Sequence, residues 1–265
     1  MIALAERSPG RHYGFRHAAR MEWIKLRSLR SSWWTLGLTA GGAAGIAIAV
    51  GINTRNAAAD LTNNVLAGVT VGLLLAGVLG VLVMTSEYTS GMIRATLAAV
   101  PNRPLLLAAK AAVFGAMALA IGEAASFVSF FAGGAVLRRG IAAPTLAQPG
   151  VLRAVVLSGA SFCLIGLLGL GLGAIIRHTA AAIAVLVGGV YVLAQMIGAA
   201  AHALAAYMPI LIVGNSIGTT KPVCGPHVPQ CPHFLSAWAG LGVLCLYAAA
   251  ALAIGGWLLT RRDAA

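Results

Sequence analysis

The feature that most limits this chain is a set of apolar runs, each close to the roughly twenty residues a helix needs to cross the hydrocarbon core of a bilayer. They fall at residues 33–52, 65–84, 111–136, 151–176, 180–204 and 236–259. Residues 151–204 are nearly continuous, but a single helix of that length would be about 80 Å long. The chain is therefore expected to turn at "RHT", Arg177 to Thr179. Of the 265 residues, 60% are hydrophobic and 9% charged, which is more apolar surface than one soluble core of this size can hide. Ala, Leu, Val and Gly dominate, which suits closely packed helices better than strands alternating around a barrel. The expected fold is an all-α integral membrane protein with six transmembrane helices. Residues 1–32 form an N-terminal segment, 33–259 one membrane domain and 260–265 a tail.

Six spans put both termini on one side. That side carries Arg7, Arg11, Arg16, Arg20, Lys25, Arg27 and Arg30 before the first span, then Arg94, Arg103, Lys110, Arg177, Arg261 and Arg262. The other side has Arg55, Arg138, Arg139, Arg153 and Lys221. The excess of basic residues makes the first side, with both termini, cytoplasmic. A net charge of +12 would suggest nucleic acid in a soluble protein. Here membrane orientation accounts for it, and no nucleic-acid partner is expected. The leader is strongly basic and the apolar run after it too long for an h-region, so the first span is expected to stay in the membrane. Within "FRHAARMEWIKLRSLRSSWW", helical spacing puts Phe15, Ala19, Trp23, Leu26 and Trp33 on one side and Arg16, Arg20 and Arg27 on another. That pattern predicts an amphipathic helix in the cytoplasmic headgroup layer, in contact with membrane lipids.

Between the second and third runs lies "TSEYTSGMIRATLAAVPNRPLLLAAK", Thr85 to Lys110. Gly91 breaks any helix leaving the second span, and Met92 to Val100 can form a short helix with Ile93, Leu97 and Val100 on one face and Arg94 and Thr96 elsewhere. Pro101 stops it, and Pro104 suits the first turn of the next helix. A short helix held between breakers at the cytoplasmic surface is a form that fits a groove on a partner.

This loop resembles the one between the second and third spans of actinobacterial ABC-type exporter permeases of the type-2 family, in which Glu-Tyr, Gly-Met-Ile-Arg, Thr-Leu and Val-Pro recur. The likeness extends to "EWIKLRSLRSSWWTL" before the first span, to "GEAASFVSFF" in the third and to "GVLRAVV…GLLGLGLGAIIRHTAAAIAVLVG" across the fourth and fifth. It covers most of Glu22 to Gly189. One departure is Asn102 followed by Arg103, where the family usually has two basic residues after the proline. The resemblance implies a multi-pass cell-membrane half-transporter that works as a homodimer or with a related permease. Motion would come from separate ATPase subunits that bind ATP and Mg, through a cytoplasmic coupling helix in this loop and through the interfacial helix. Glu87, Tyr88, Met92, Ile93, Arg94 and Leu97 would then be the coupling residues. It also implies a re-entrant segment before the sixth span, where "YMPILIV" (Tyr207 to Val213) is apolar but too short to cross. The residues agree in one respect on their own, since nothing matches the phosphate-cradling G-x-x-x-x-G-K-[ST] loop. No cofactor is therefore expected on this chain.

Glu123 lies near the middle of the third span, where a carboxylate costs about 2.5–3.5 kcal/mol on insertion scales. Two readings stand: a proton or substrate-cation site in the pathway, or a structural side chain bonded to Ser126, Ser158, Ser161 or Gln195. Cys163 and Cys245 read as small packing residues. Cys224 and Cys231 lie in the external "KPVCGPHVPQCPHF", where a disulfide, free thiols, or a metal site with His227 and His233 are open. Small-xxx-small pairs at Gly41/Gly45, Gly68/Gly72 and Gly169/Gly173 allow close helix approach. No nucleophile with a base is specified at membrane depth, so the chain is not expected to be an enzyme by itself. The reading of another class is a non-transporting membrane scaffold or sensor that holds a cytoplasmic partner on the same basic surface.

Overall fold

The computed structural model describes residues 14–28, 30–55, 60–99, 102–137, 140–219 and 234–261. Their regular secondary structure is all helix, with no strand among the described residues. In chain order the helices are α1 (Phe15–Ser28), α2 (Arg30–Asn53), α3 (Leu61–Val65), α4 (Gly68–Thr89), α5 (Met92–Ala99), α6 (Arg103–Ala135) and α7 (Val151–Ile176). There follow α8 (Thr179–Val185), a π-helical stretch Leu186–Leu193, α9 (Ala194–Ala200), α10 (His202–Ala205), α11 (Pro209–Ile217) and α12 (Ala237–Arg261). Five segments are long and apolar enough to cross a membrane: Gly68–Thr89, Arg103–Ala135, Val151–Ile176, Thr179–Gly198 and Ala237–Arg261. The protein thus has the build of a multi-pass membrane protein.

The chemistry that starts and stops these helices is local. Asn102 caps α6 by accepting the Leu105 N–H at 3.2 Å, and Pro104 follows in the first turn, where its missing N–H costs nothing. As a result α6 begins at Arg103, well before the apolar run at Ala111, and carries Lys110 on its own helical wall. The expected turn between the fourth and fifth runs is formed by Arg177, at φ 60°, and by His178. The Arg177 N–H closes the end of α7 onto the Gly173 carbonyl at 2.9 Å, and His178 Nδ1 accepts the Ala181 N–H to open α8. Gly91, at φ +70°, separates α4 from α5 in a conformation that a residue with a Cβ adopts at a cost.

Helix α7 is the centre of the bundle, packed against α4, α6 and α12. Against α4 the approach is backbone to backbone: a Cβ on Gly80 would strike the Gly166 carbonyl, and one on Gly169 would strike the Gly77 carbonyl. Of the small-residue pairs read from the sequence, Gly68/Gly72 packs on Ala43 and Phe162, and Gly169/Gly173 on α4. Gly41 and Gly45 instead face open space. Leu73, Phe114, Phe162, Ile165 and Leu170 fill the interior between these helices.

At the far end, Asp60 caps α3 through the Asn63 N–H at 3.1 Å, and its carboxylate also accepts from the Thr219 N–H at 2.7 Å and hydroxyl at 2.9 Å. The segment around "YMPILIV" is a turn followed by α11, which buries Ile210, Ile212, Val213 and Ile217 and packs on α7 and α12.

Candidate functional site

The site is built where α1, the end of α4, α5 and the start of α6 meet. On α1, Ala18, Glu22 and Leu26 recur at helical spacing and are buried against the bundle, while Phe15, Trp23 and Ile24 are exposed. The face turned to the bundle is Ala18–Glu22–Leu26, with an acid at its middle, and Phe15 and Trp23 point away; Leu26, expected on the aromatic side, faces in. The reason is a partner the sequence pattern did not reveal, Lys110 of α6.

Lys110 Nζ donates to Glu22 Oε2 at 2.7 Å and to Glu87 Oε1 at 2.8 Å. Lys25 Nζ reaches the same Glu87 oxygen at 2.9 Å, Glu22 Oε1 at 3.2 Å and the Thr96 hydroxyl of α5 at 3.4 Å. Two ammonium and two carboxylate groups therefore close a charge-neutral ring, with the Lys110, Glu22 and Glu87 side chains 3%, 2% and 8% exposed and Lys25 at 25%. Charges this deep persist only when paired and hydrogen-bonded. Burial works against the charge on Lys25, but the hydrogen bond to Glu87 and the nearby Glu22 carboxylate outweigh it and hold this ammonium above the usual lysine range.

Next to the ring, Tyr88 lies under the Arg177 guanidinium, 5.4 Å from its ring centroid. Thr179 donates to the Thr85 hydroxyl at 2.9 Å, joining the start of α8 to the end of α4. Arg103 donates to the Leu259 carbonyl at 2.7 Å and Arg177 to the Leu258 carbonyl at 3.3 Å. Two arginines thus satisfy the last carbonyls of α12, where the helix dipole favours positive charge. Helices α1, α4, α5, α6, α8 and α12 are consequently tied together at one end of the bundle by side-chain donors.

The residues read as coupling elements separate by direction. Glu87 and Ile93 point inward, Tyr88 is half-buried, and Met92 is 51% exposed. Arg94 and Leu97 lie on α5, with side chains outside the described ones. Thr96, expected away from the packed face of α5, is buried with Ile93 because Lys25 draws its hydroxyl inward. Glu22, Lys25 and Lys110 are the members that sequence reasoning missed. A signal was available: the chain is rich in arginine and has only three lysines and six acids, and four of those nine residues meet here.

Elsewhere, Glu123 packs over Gly159 of α7, half-buried. Ser158 and Ser161 donate back to the Ala154 and Leu157 carbonyls at 2.6 and 2.7 Å, Ser126 Oγ has no partner among the described residues, and Gln195 is exposed. None of the four expected partners holds the carboxyl. Cys224, His227, Cys231 and His233 lie outside the described residues. Among the described residues no cluster of His, Cys, Asp or Glu is arranged to hold a metal ion.

Compared with known proteins, the chain matches no family model and no curated protein.

Proposed function

We propose that this chain is the permease subunit of an ATP-driven exporter of the ABC type, a six-span half-transporter with both termini in the cytoplasm. In this reading α2 is the first span, α1 the interfacial helix, α5 the coupling helix and α11 a re-entrant element at the exit. ATP and Mg belong to separate ATPase subunits, and two permease subunits carry a lipophilic substrate out of a cell membrane along their interface by alternating access. The observation that supports this most is the buried charge ring. A loop helix that only touched a partner would absorb a push, whereas α5 is fastened through Thr96, Lys25 and Glu87 to α1, α4 and α6. Displacement of α5 would be delivered to two long helices at once. Met92, exposed on the outer side of α5, would face the ATPase, while Glu87 would transmit without touching it.

The test is co-expression with candidate ATPase subunits. A complex should purify whose ATP hydrolysis changes with Met92→Asp, Arg94→Glu or Leu97→Asp. Failure of any ATPase to co-purify, or hydrolysis indifferent to all three changes, refutes the exporter reading and leaves the scaffold or sensor.

A further inference from the structure

The basic end of the bundle also carries an apolar groove. Between the first turns of α6 and the last turns of α12 runs an open groove of about 530 Å³. Its walls are Leu107, Ala108 and Ala111 on one side and Ala253, Gly256 and Trp257 on the other. Small residues make the hollow: a Cβ on Gly256 would already meet the Leu107 side chain at 3.4 Å. Ala108, Ala253 and Trp257 are exposed along it, Trp257 by 53%, so the groove opens sideways from two helices that cross the membrane. From Pro104 to Ala111 it follows α6 for roughly 10 Å, enough to pass from the headgroup layer well into one leaflet.

The end of the groove is polar and positive. Arg261 lies over the Trp257 ring with its guanidinium carbon 4.7 Å from the centroid, which holds the cation at the groove mouth. Thr260 completes the rim, and Arg103, next in sequence to Pro104 of the groove wall, is bonded to the neighbouring Leu259 carbonyl. No carboxylate lines the groove among the described residues. An apolar channel at leaflet depth, ending in an arginine braced on an indole, matches one kind of occupant, an acyl chain continuous with a phosphate.

We infer that this groove binds an anionic phospholipid of the basic leaflet, one acyl chain between α6 and α12 and the headgroup phosphate at Arg261. The site needs only that α6 and α12 lie in the membrane and stands without the exporter reading. A lipid seated there would brace the same helix ends that Arg103 joins, next to the charge ring.

The experiment is native mass spectrometry of the full chain in detergent, titrated with dioleoyl phosphatidylglycerol or dioleoyl phosphatidylcholine. The wild type should retain phosphatidylglycerol in preference to phosphatidylcholine. Arg261→Gln should weaken phosphatidylglycerol retention about fivefold and Arg261→Lys should restore much of it, since one basic residue near a membrane surface contributes about that factor. Ala253→Leu, which fills the groove from an exposed position, should expel the lipid while the melting temperature stays that of the wild type. Equal retention of the two lipids, or a preference unchanged by Arg261→Gln, overturns the assignment. So does a retained lipid in Ala253→Leu. Loss of a dimer in Ala253→Leu with lipid retention intact overturns it too, and gives the groove to a second copy of the chain.

Discussion

Replacing Lys110 by Met is the sharpest probe of the charge ring. Lys110 reaches both carboxylates at 2.7–2.8 Å, and its side chain is 3% exposed. Without it, of the four ring members Glu22 and Glu87 remain buried with Lys25, one ammonium against two carboxylates. Breaking a buried pair by removing one partner costs about 3–5 kcal/mol, because the charge left behind has lost both water and its partner. Lys25 is a quarter exposed and its site is open to solvent, so Lys25→Met should cost about 1 kcal/mol. The order is the test, since both lysines bond the same two acids. Ala18 sits in the buried face of α1, so Ala18→Cys, with the native cysteines replaced by serine, reports release of α1 by its rate of thiol labelling. Lys110→Met should speed labelling by more than about a hundredfold, and Lys25→Met by less than about tenfold. Adding Glu87→Gln to Lys110→Met leaves the neutral Glu22–Lys25 pair and should recover much of the loss. Equal labelling in the two single variants, or a double variant worse than Lys110→Met, would refute the argument that burial of uncompensated charge sets the cost.

Three further outcomes follow from the geometry. Gly80→Ala should destabilise the protein by about 1–3 kcal/mol in a detergent unfolding titration, because its methyl meets the α7 backbone, whereas Gly45→Ala, with open space around it, should be close to neutral. Asp60→Ala removes the α3 cap and both bonds to Thr219, costing about 1 kcal/mol or more, and hydrogen exchange at the Thr219 amide should accelerate accordingly. Because the Lys25 ammonium is held above its ordinary value of 10.5, its contribution is complete below that pH and is lost as pH rises beyond it. Labelling at Ala18→Cys, corrected for thiol ionisation with a free-thiol standard, should therefore stay flat through neutral pH and rise only in strong alkali.

The long apolar stretches and most breaks between them were legible because lipid imposes a composition, and because Gly91, Pro104 and the turn at Arg177 act through local backbone chemistry; the cap at Asn102 was not read. Nor was the direction of each polar residue. The α1 pattern gathered Phe15, Trp23 and Leu26 on one apolar side, and left unread that Glu22 and Leu26 face the bundle, with Glu22 bonded to one long-range partner, Lys110. Thr96 went astray for the same reason, through Lys25. Pairings across 62 to 88 positions of sequence leave no trace in periodicity. Glu123 was legible as an acid at membrane depth, but its partners were not, because serines in helices bond to their own preceding turn when nothing better is in reach.

The glycine contact between α4 and α7 has a mechanical meaning. At Gly80 and Gly166, and again at Gly77 and Gly169, main chain rests on main chain, so there is no side chain left to repack or to change rotamer. Two helices in that state move as one lever. Rearrangement of this bundle is then easiest along the largely exposed segment Thr179–Gly198 with its π-helical middle. The charge ring grips the lever at one end, through Glu87. A displacement at that end would carry α4 and α7 together rather than slide one past the other.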